Sequence, residues 1–160
     1  TAIGYRFKNI SLLQNALTHS SYANEHWHNS LKSNERLEFL GDSILVMVVA
    51  EYLYKNFPDR PEGELTRMRA DMVCEKTLAA VAGRIELGQH LLLGNGEEQG
   101  GGRSRNSILA DAMESVIAAL AGWLILKEVM TGVELLGCGL VFAAVIISQL
   151  PEKQAKKETA

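Results

Sequence analysis

N-E-R-L-E-F-L-G-D-S-I-L, residues 34–45, is the stretch on which the reading of this chain turns. Asn34 can cap a helix that runs from about Glu35 to Asn56. At about 100° per residue, Glu35, Glu38 and Asp42 fall within roughly 60° of one another on one face. Leu37, Leu40, Ile44 and Val48 lie roughly opposite. From Ile44 to Ala50 the sequence is apolar all round, the pattern of a central buried helix. A second stretch, S-I-L-A-D-A-M-E-S-V-I at 107–117, puts Asp111 and Glu114 three apart, so they too share a helix face.

Carboxylates gathered in apolar surroundings repel one another and are costly to desolvate unless a proton or a metal ion balances them. Hard divalent ions such as Mg²⁺ take oxygen ligands and retain several waters, so a few carboxylates on rigid helices suffice. A pair of such ions can activate a water and stabilise the leaving oxygen of a phosphodiester. The competing reading makes these acids surface residues paired with Arg36, Arg67 or Arg69. Spacing alone leaves both open.

Outward from these helices the pattern stays helical, with almost no period-two alternation and no internal repeat. A short helix is expected over Ser11 to Thr18, with Ser11 as N-cap and Leu12, Leu13, Ala16 and Leu17 as its apolar stripe. His19 to Ser33, rich in His, Asn and Ser, reads as a loop. After Phe57-Pro58-Asp59-Arg60-Pro61 breaks the chain, helices follow from about Leu65 to Val73 and from Glu75 to about Ile85. Gly94 to Gly102 is a glycine-rich loop that lacks a G-K-[ST] ending and has no strand before it, so no nucleotide cofactor is expected. Ser107 starts the second acidic helix. Ser115, Ala118 and Ala121 extend its acidic face with small residues, over which the helix of Glu35, Glu38 and Asp42 can approach closely. The fold class is all-α.

The chain is 47% hydrophobic and 22% charged, with a net charge of −3, so it lacks a chain-wide basic footprint. Any nucleic acid must be met by local arginines and metal ions. Cys74 and Cys138 offer neither ligand spacing nor a disulfide framework, which suits a reduced, cytoplasmic setting. Leu135 to Leu150 is a 16-residue stretch without charge, shorter than the roughly 20 residues of a membrane span. A core or subunit-interface helix is expected there, with no membrane partner. The sequence opens at Thr1 and reads as a piece of a longer chain without a leader. One domain over 1–150 and a solvated tail over 151–160 are expected. His19, His26 and His28 have no acidic or Cys partner at ligand spacing and read as structural or surface residues. Ser20 and Ser43 lack a His-Asp pairing. Met47, Met68, Met72 and Met113 read as core fillers.

Residues 34–45 also resemble, nearly letter for letter, the signature of the ribonuclease III family. Gly4-Tyr5-Arg6-Phe7 with Ala16-Leu17-Thr18-His19 resembles the family's opening. Pro61-Glu62-Gly63-Glu64-Leu65-Thr66-Arg67-Met68-Arg69-Ala70 resembles its middle, and Gly101 to Glu114 its second acidic motif. The resemblance covers about Gly4 to Ala119. It implies a homodimeric, all-α endonuclease domain that hydrolyses double-stranded RNA with Mg²⁺ (Mn²⁺ as substitute), leaving 5′-phosphate and 3′-hydroxyl ends.

By position, the resemblance makes Glu38, Asp42, Asp111 and Glu114 the metal-site acids, with Asp42 and Glu114 catalytic and Glu114 the most critical ligand. It makes Glu35 and Glu62 supporting acids. It also implies that Phe39 plugs into a socket on the partner subunit, which fits its place on the acidic side of the helix; an ordinary core aromatic is the alternative. Arg67, Arg69, Arg103 and Arg105 are candidate phosphate partners of an RNA duplex, or else solvated or ion-paired arginines. After Ala119 the similarity fades into an apolar stretch, and the double-stranded-RNA-binding domain of bacterial members has no counterpart in these residues. A non-catalytic, RNA-binding or ribosome-associated relative of the same fold would be expected to have lost acids that this sequence keeps.

Overall fold

In a computed structural model of the chain, which describes residues 7, 9–29 and 31–125, seven α-helices follow one another and no strand occurs among the described residues. They are α1 (Ile10–Ala16), α2 (Ser20–Glu25), α3 (Glu35–Asn56), α4 (Glu62–Val73), α5 (Glu75–Arg84), α6 (Asn95–Gln99) and α7 (Asn106–Ile125). Short 3₁₀ turns cover Trp27–Asn29, Leu87–His90 and Gly102–Ser104. The expected all-α class holds. The apolar segment 135–150, Cys138, the tail and the expected domain end at 150 lie outside the described residues. Among the described residues no helix is long and apolar enough to cross a membrane.

Helix α7 is the centre of the packing, with α3 along one side and α5 along another. Its small residues permit this: Ala112, Ser115, Ala118 and Ala119 are almost wholly buried, and Ala121 is half-buried. α3 and α7 approach closely at Gly41, where a side-chain carbon would overlap the main-chain carbonyl of Glu114. Leu53, Leu87, Leu91, Leu93, Ile108 and Val116 contribute the larger side chains of the core.

Local chemistry explains most helix ends. α3 stops at Asn56 because Pro58 follows, and the N–H of Phe57 closes the last turn on the Leu53 carbonyl. α4 begins at Glu62, three residues earlier than expected, because Pro61 presets the entry and Glu62 and Glu64 complement the positive end of the helix. α1 begins at Ile10, one residue before the expected cap, because the Asn9 side chain accepts the N–H of Leu12 at 3.1 Å. Asn34 sits at the N-cap of α3, but its helical dihedrals (φ −75°, ψ −10°) turn the side chain away from any capping bond. Its main chain is the anchor instead. The Asn34 N–H donates to the Thr18 carbonyl at 2.8 Å, and its own carbonyl accepts from Glu38 N–H (2.9 Å) and Ser115 Oγ (3.3 Å).

Two expectations are corrected. The polar stretch His19 to Ser33 contains α2, which is held by distant partners. Ser21 Oγ accepts the N–H of Gly94 (2.9 Å), and the Glu25 carboxylate accepts both the main-chain N–H (3.0 Å) and side-chain amide (2.9 Å) of Asn95. The second correction concerns α3, which is not buried all round. Gly41, Ile44, Val49 and Leu53 are buried, whereas Phe39, Leu40, Met47, Val48, Tyr52 and Tyr54 are exposed. The buried face is centred on Gly41 beside the acids, where α7 packs; among the described elements α3 is covered chiefly by α7 and α4. Met47 and Met72 are likewise exposed and do not fill the core, while Met113 packs against it.

Gly41→Ala is expected to lower unfolding stability by about 1–3 kcal/mol, the usual cost of overpacking, because the new methyl group meets a main-chain carbonyl that cannot turn aside. Urea denaturation measures it, and a variant as stable as the wild type would contradict the close helix contact.

Candidate metal centre

The contact at Gly41 brings the two acidic helices together. One turn before Gly41, α3 carries Glu38. Across from it, α7 carries Asp111 and Glu114. One carboxylate oxygen from each of the three lies within 4.8 Å of the others. Ser115 locks this turn of α7, since its hydroxyl donates to the Asp111 carbonyl (2.9 Å) and to the Asn34 carbonyl at the start of α3 (3.3 Å). Its side chain is fully buried.

Electrostatics make the cluster unusual. Burial, then the neighbouring charges of Asp42, Asp111 and Glu38, push Glu114 up to about 7. Glu38 is raised by burial and then by Asp111, Glu35 and Asp42. Asp111 is raised by burial, which His19 partly offsets and Glu75 reinforces. Among the described residues none of the three belongs to an ion pair, and Arg36, Arg67 and Arg69 pair with none of them. A compact set of carboxylates that no lysine or arginine pairs fits a hard divalent ion, whose charge would reverse all three shifts.

Other expected site residues fall around this trio. Asp42 is exposed and stands outside the three-oxygen group, yet its charge acts on both Glu38 and Glu114. Glu35 accepts a hydrogen bond from Ser33 Oγ at 2.7 Å and adds to the field on Glu38. Glu62, on α4, accepts from Thr66 Oγ1 (2.7 Å) and lines a surface groove with Tyr54, Leu65 and Arg69, apart from the trio. Phe39 is 78% exposed, so it is not a core aromatic within this chain.

The arginines divide in two. Arg67 is exposed and Arg69 half-buried, neither in an ion pair among the described residues. Arg105 pairs with Glu97 at 2.8 Å, and Arg103 with Glu98 at 2.6 Å. Two further residues act on the site without a signal in local spacing. His19 and Glu75 reach Asp111 only through the fold. His19 also caps α2, its Nδ1 accepting the N–H of Ser21 at 3.3 Å.

A carboxyl raised by folding holds its proton more tightly in the fold than in the unfolded chain. Without metal, the fold therefore loses stability as pH rises from the ordinary carboxylate range towards about 7, and the loss is complete above that. In chelator, Tm is expected to fall between about pH 5 and about pH 8, and Glu114→Gln to raise Tm at the higher pH but little at the lower. A Gln variant that melts below wild type at both pH values would contradict this balance.

The sequence model of the Ribonuclease-III-like family matches residues 9–122. A Ribonuclease 3 from Caldanaerobacter subterraneus is 58% identical over 118 residues, which make up 74% of this chain and 51% of that protein. Among solved structures, the nuclease domain of ribonuclease III from Campylobacter jejuni matches with a TM-score of 0.69 and 36% identity, covering 94% of this chain and 92% of that one. Another structure of that domain, concerned with flexibility in a region involved in dimer formation, matches with a TM-score of 0.69 and 43% identity over 74% of this chain and 79% of that one. The chain spans about half the length of the curated relatives it matches. With a family match across residues 9–122 and this likeness of sequence and fold, the chain belongs to the ribonuclease III family.

Proposed function

We propose that this chain is a divalent-metal-dependent endoribonuclease domain that hydrolyses double-stranded RNA as a homodimer in the cytoplasm. The observation that carries the reading is the convergence of Glu38, Asp111 and Glu114, none of which is ion-paired to a lysine or arginine among the described residues. When bound, Mg²⁺, or Mn²⁺ in its place, supplies the charge that a phosphodiester needs beside these carboxylates and lowers the pKa of water for attack. Glu38, Asp111 and Glu114 would hold the ion, and Asp42, one turn along α3, would add its charge to theirs.

Because Glu114 carries a proton up to about pH 7 in the metal-free fold, its ionisation and cation uptake are linked. Arg67, Arg69 and Arg105 supply phosphate contacts, as a chain with net charge −3 requires local cations for RNA. Glu35 and Glu62 support the site from outside the trio. The ridge of exposed apolar side chains on α3, with Phe39 foremost, supports the dimer.

Cleavage of a long RNA duplex in Mg²⁺ tests the reading. Glu114→Gln is expected to reduce the rate by roughly 100-fold or more, since even outer-sphere losses at metal sites cost 10- to 100-fold. An inert wild type in both Mg²⁺ and Mn²⁺, or a Gln variant that cuts equally well, would overturn it. Separately, Phe39→Ala is expected to weaken self-association by about 30-fold, the scale of an aromatic hot spot worth roughly 2 kcal/mol. Sedimentation equilibrium reads this directly, and an unchanged dimer would remove Phe39 from the interface.

A further inference from the structure

Arg103 turns Nη1 to the protein's own main chain and Nε to a neighbouring carboxylate. Its Nη1 donates to the carbonyls of Gly88 (2.9 Å) and Leu91 (2.9 Å), with a longer bond to that of Gln89 (3.4 Å). Its Nε donates to Glu98 Oε1 at 2.6 Å. One guanidinium thus joins the 3₁₀ turn Leu87–His90, helix α6 and the turn Gly102–Ser104 that leads into α7. The two turns touch, since a side-chain carbon on Gly88 would overlap the Arg103 carbonyl and meet the Leu109 side chain at 3.3 Å.

Both acidic helices are fixed from this junction. The turn that holds Arg103 runs directly into α7, where the Leu109 N–H bonds the Arg105 carbonyl at 3.0 Å two residues before Asp111. On the other side, Leu91 is followed by Leu92. The Leu92 N–H donates to the Leu17 carbonyl (2.9 Å), and its carbonyl accepts the N–H of His19 (3.0 Å). Between them Thr18, fully buried, accepts the Asn34 N–H at 2.8 Å, and Asn34 begins the helix of Glu38. The carbonyls converge on Nη1 while Glu98 is held by Nε, so the junction uses two separate nitrogens of one planar group, which the single nitrogen of a lysine cannot supply at both places.

We propose that Arg103 is a positioning residue for the metal centre: it clamps the turn 87–90 to the start of α7 and so sets how Asp111 and Glu114 meet Glu38, and it is not a phosphate contact. This rests on the reading of the trio as cation ligands. A phosphate-contacting arginine would tolerate lysine, and its loss would reduce the salt dependence of RNA binding by about one unit of slope. A clamp predicts the reverse on both counts.

The test compares wild type, Arg103→Lys and Arg103→Ala for Mn²⁺ binding by electron paramagnetic resonance, and for the salt dependence of duplex RNA binding in chelator. Near-UV circular dichroism checks that each is folded; if the alanine variant does not fold, the lysine variant carries the comparison. Both variants are expected to bind Mn²⁺ about tenfold more weakly, the scale of outer-sphere losses at metal sites, with the RNA salt slope unchanged. Mn²⁺ binding equal to wild type in the folded variants, with or without a lower Tm, overturns the proposal alone. So does a reduced slope that lysine restores. A wild type that binds no Mn²⁺ overturns the metal-centre reading and this inference with it.

Discussion

The missing side chain at Gly41 is the constraint on which the rest of the molecule depends. Helix axes come this close only where one partner offers bare backbone, and here the atom met is the main-chain carbonyl of Glu114 itself. The small residues of α7 continue the close approach, with Ser115 and Ala118 buried along its length. Packing and chemistry are therefore the same contact. The glycine that lets α3 reach α7 also sets how far Glu38 stands from Asp111 and Glu114.

That contact works against the charges it gathers. Dispersion and apolar burial hold the helices together, while three half-buried carboxylates, with Asp42 and Glu35 beside them, push the ionised forms apart. In the metal-free protein a proton on Glu114 relieves part of the repulsion. A divalent ion relieves more of it and adds attraction, so the fold presents a site whose empty, fully ionised form is its least favourable state. The locks around the site, Ser115 to the carbonyls of Asp111 and Asn34 and the Thr18–Asn34 bond, are hydrogen bonds to main chain. They hold the acids in place without neutralising them.

How much of this was legible in the sequence follows from what each feature depends on. α3 was readable from Glu35 to Asn56 because its signals are local: an Asn at the N-cap position and a Pro shortly after the last turn. The acidic clusters were readable because helical spacing puts residues three and four apart on one face. α2 was not, since Gly94 and Asn95 hold it from far along the chain. Hydrophobicity could not tell a core from an apolar surface. The run Ile44 to Ala50 looks buried by composition, yet Met47 and Val48 are exposed, since among the described elements α3 is covered chiefly by α7 and α4. Arg103 and Arg105 looked alike as cations in a glycine-rich stretch, and only the fold gives one of them three main-chain carbonyls to hold. Spacing also ranked Asp42 equal to Glu38, whereas the helix crossing brings Glu38 into the trio and leaves Asp42 at its rim.

The most direct measurement is the titration of the Glu114 carboxyl carbon by nuclear magnetic resonance, in chelator and again with saturating Mg²⁺. In chelator its midpoint should lie near 7, and Mg²⁺ should move it well below the ordinary carboxylate range as the ion takes the place of the proton. A Glu114 that titrates like a free glutamate without metal, or whose midpoint Mg²⁺ leaves unmoved, would contradict the account of two helices brought together to hold a divalent cation.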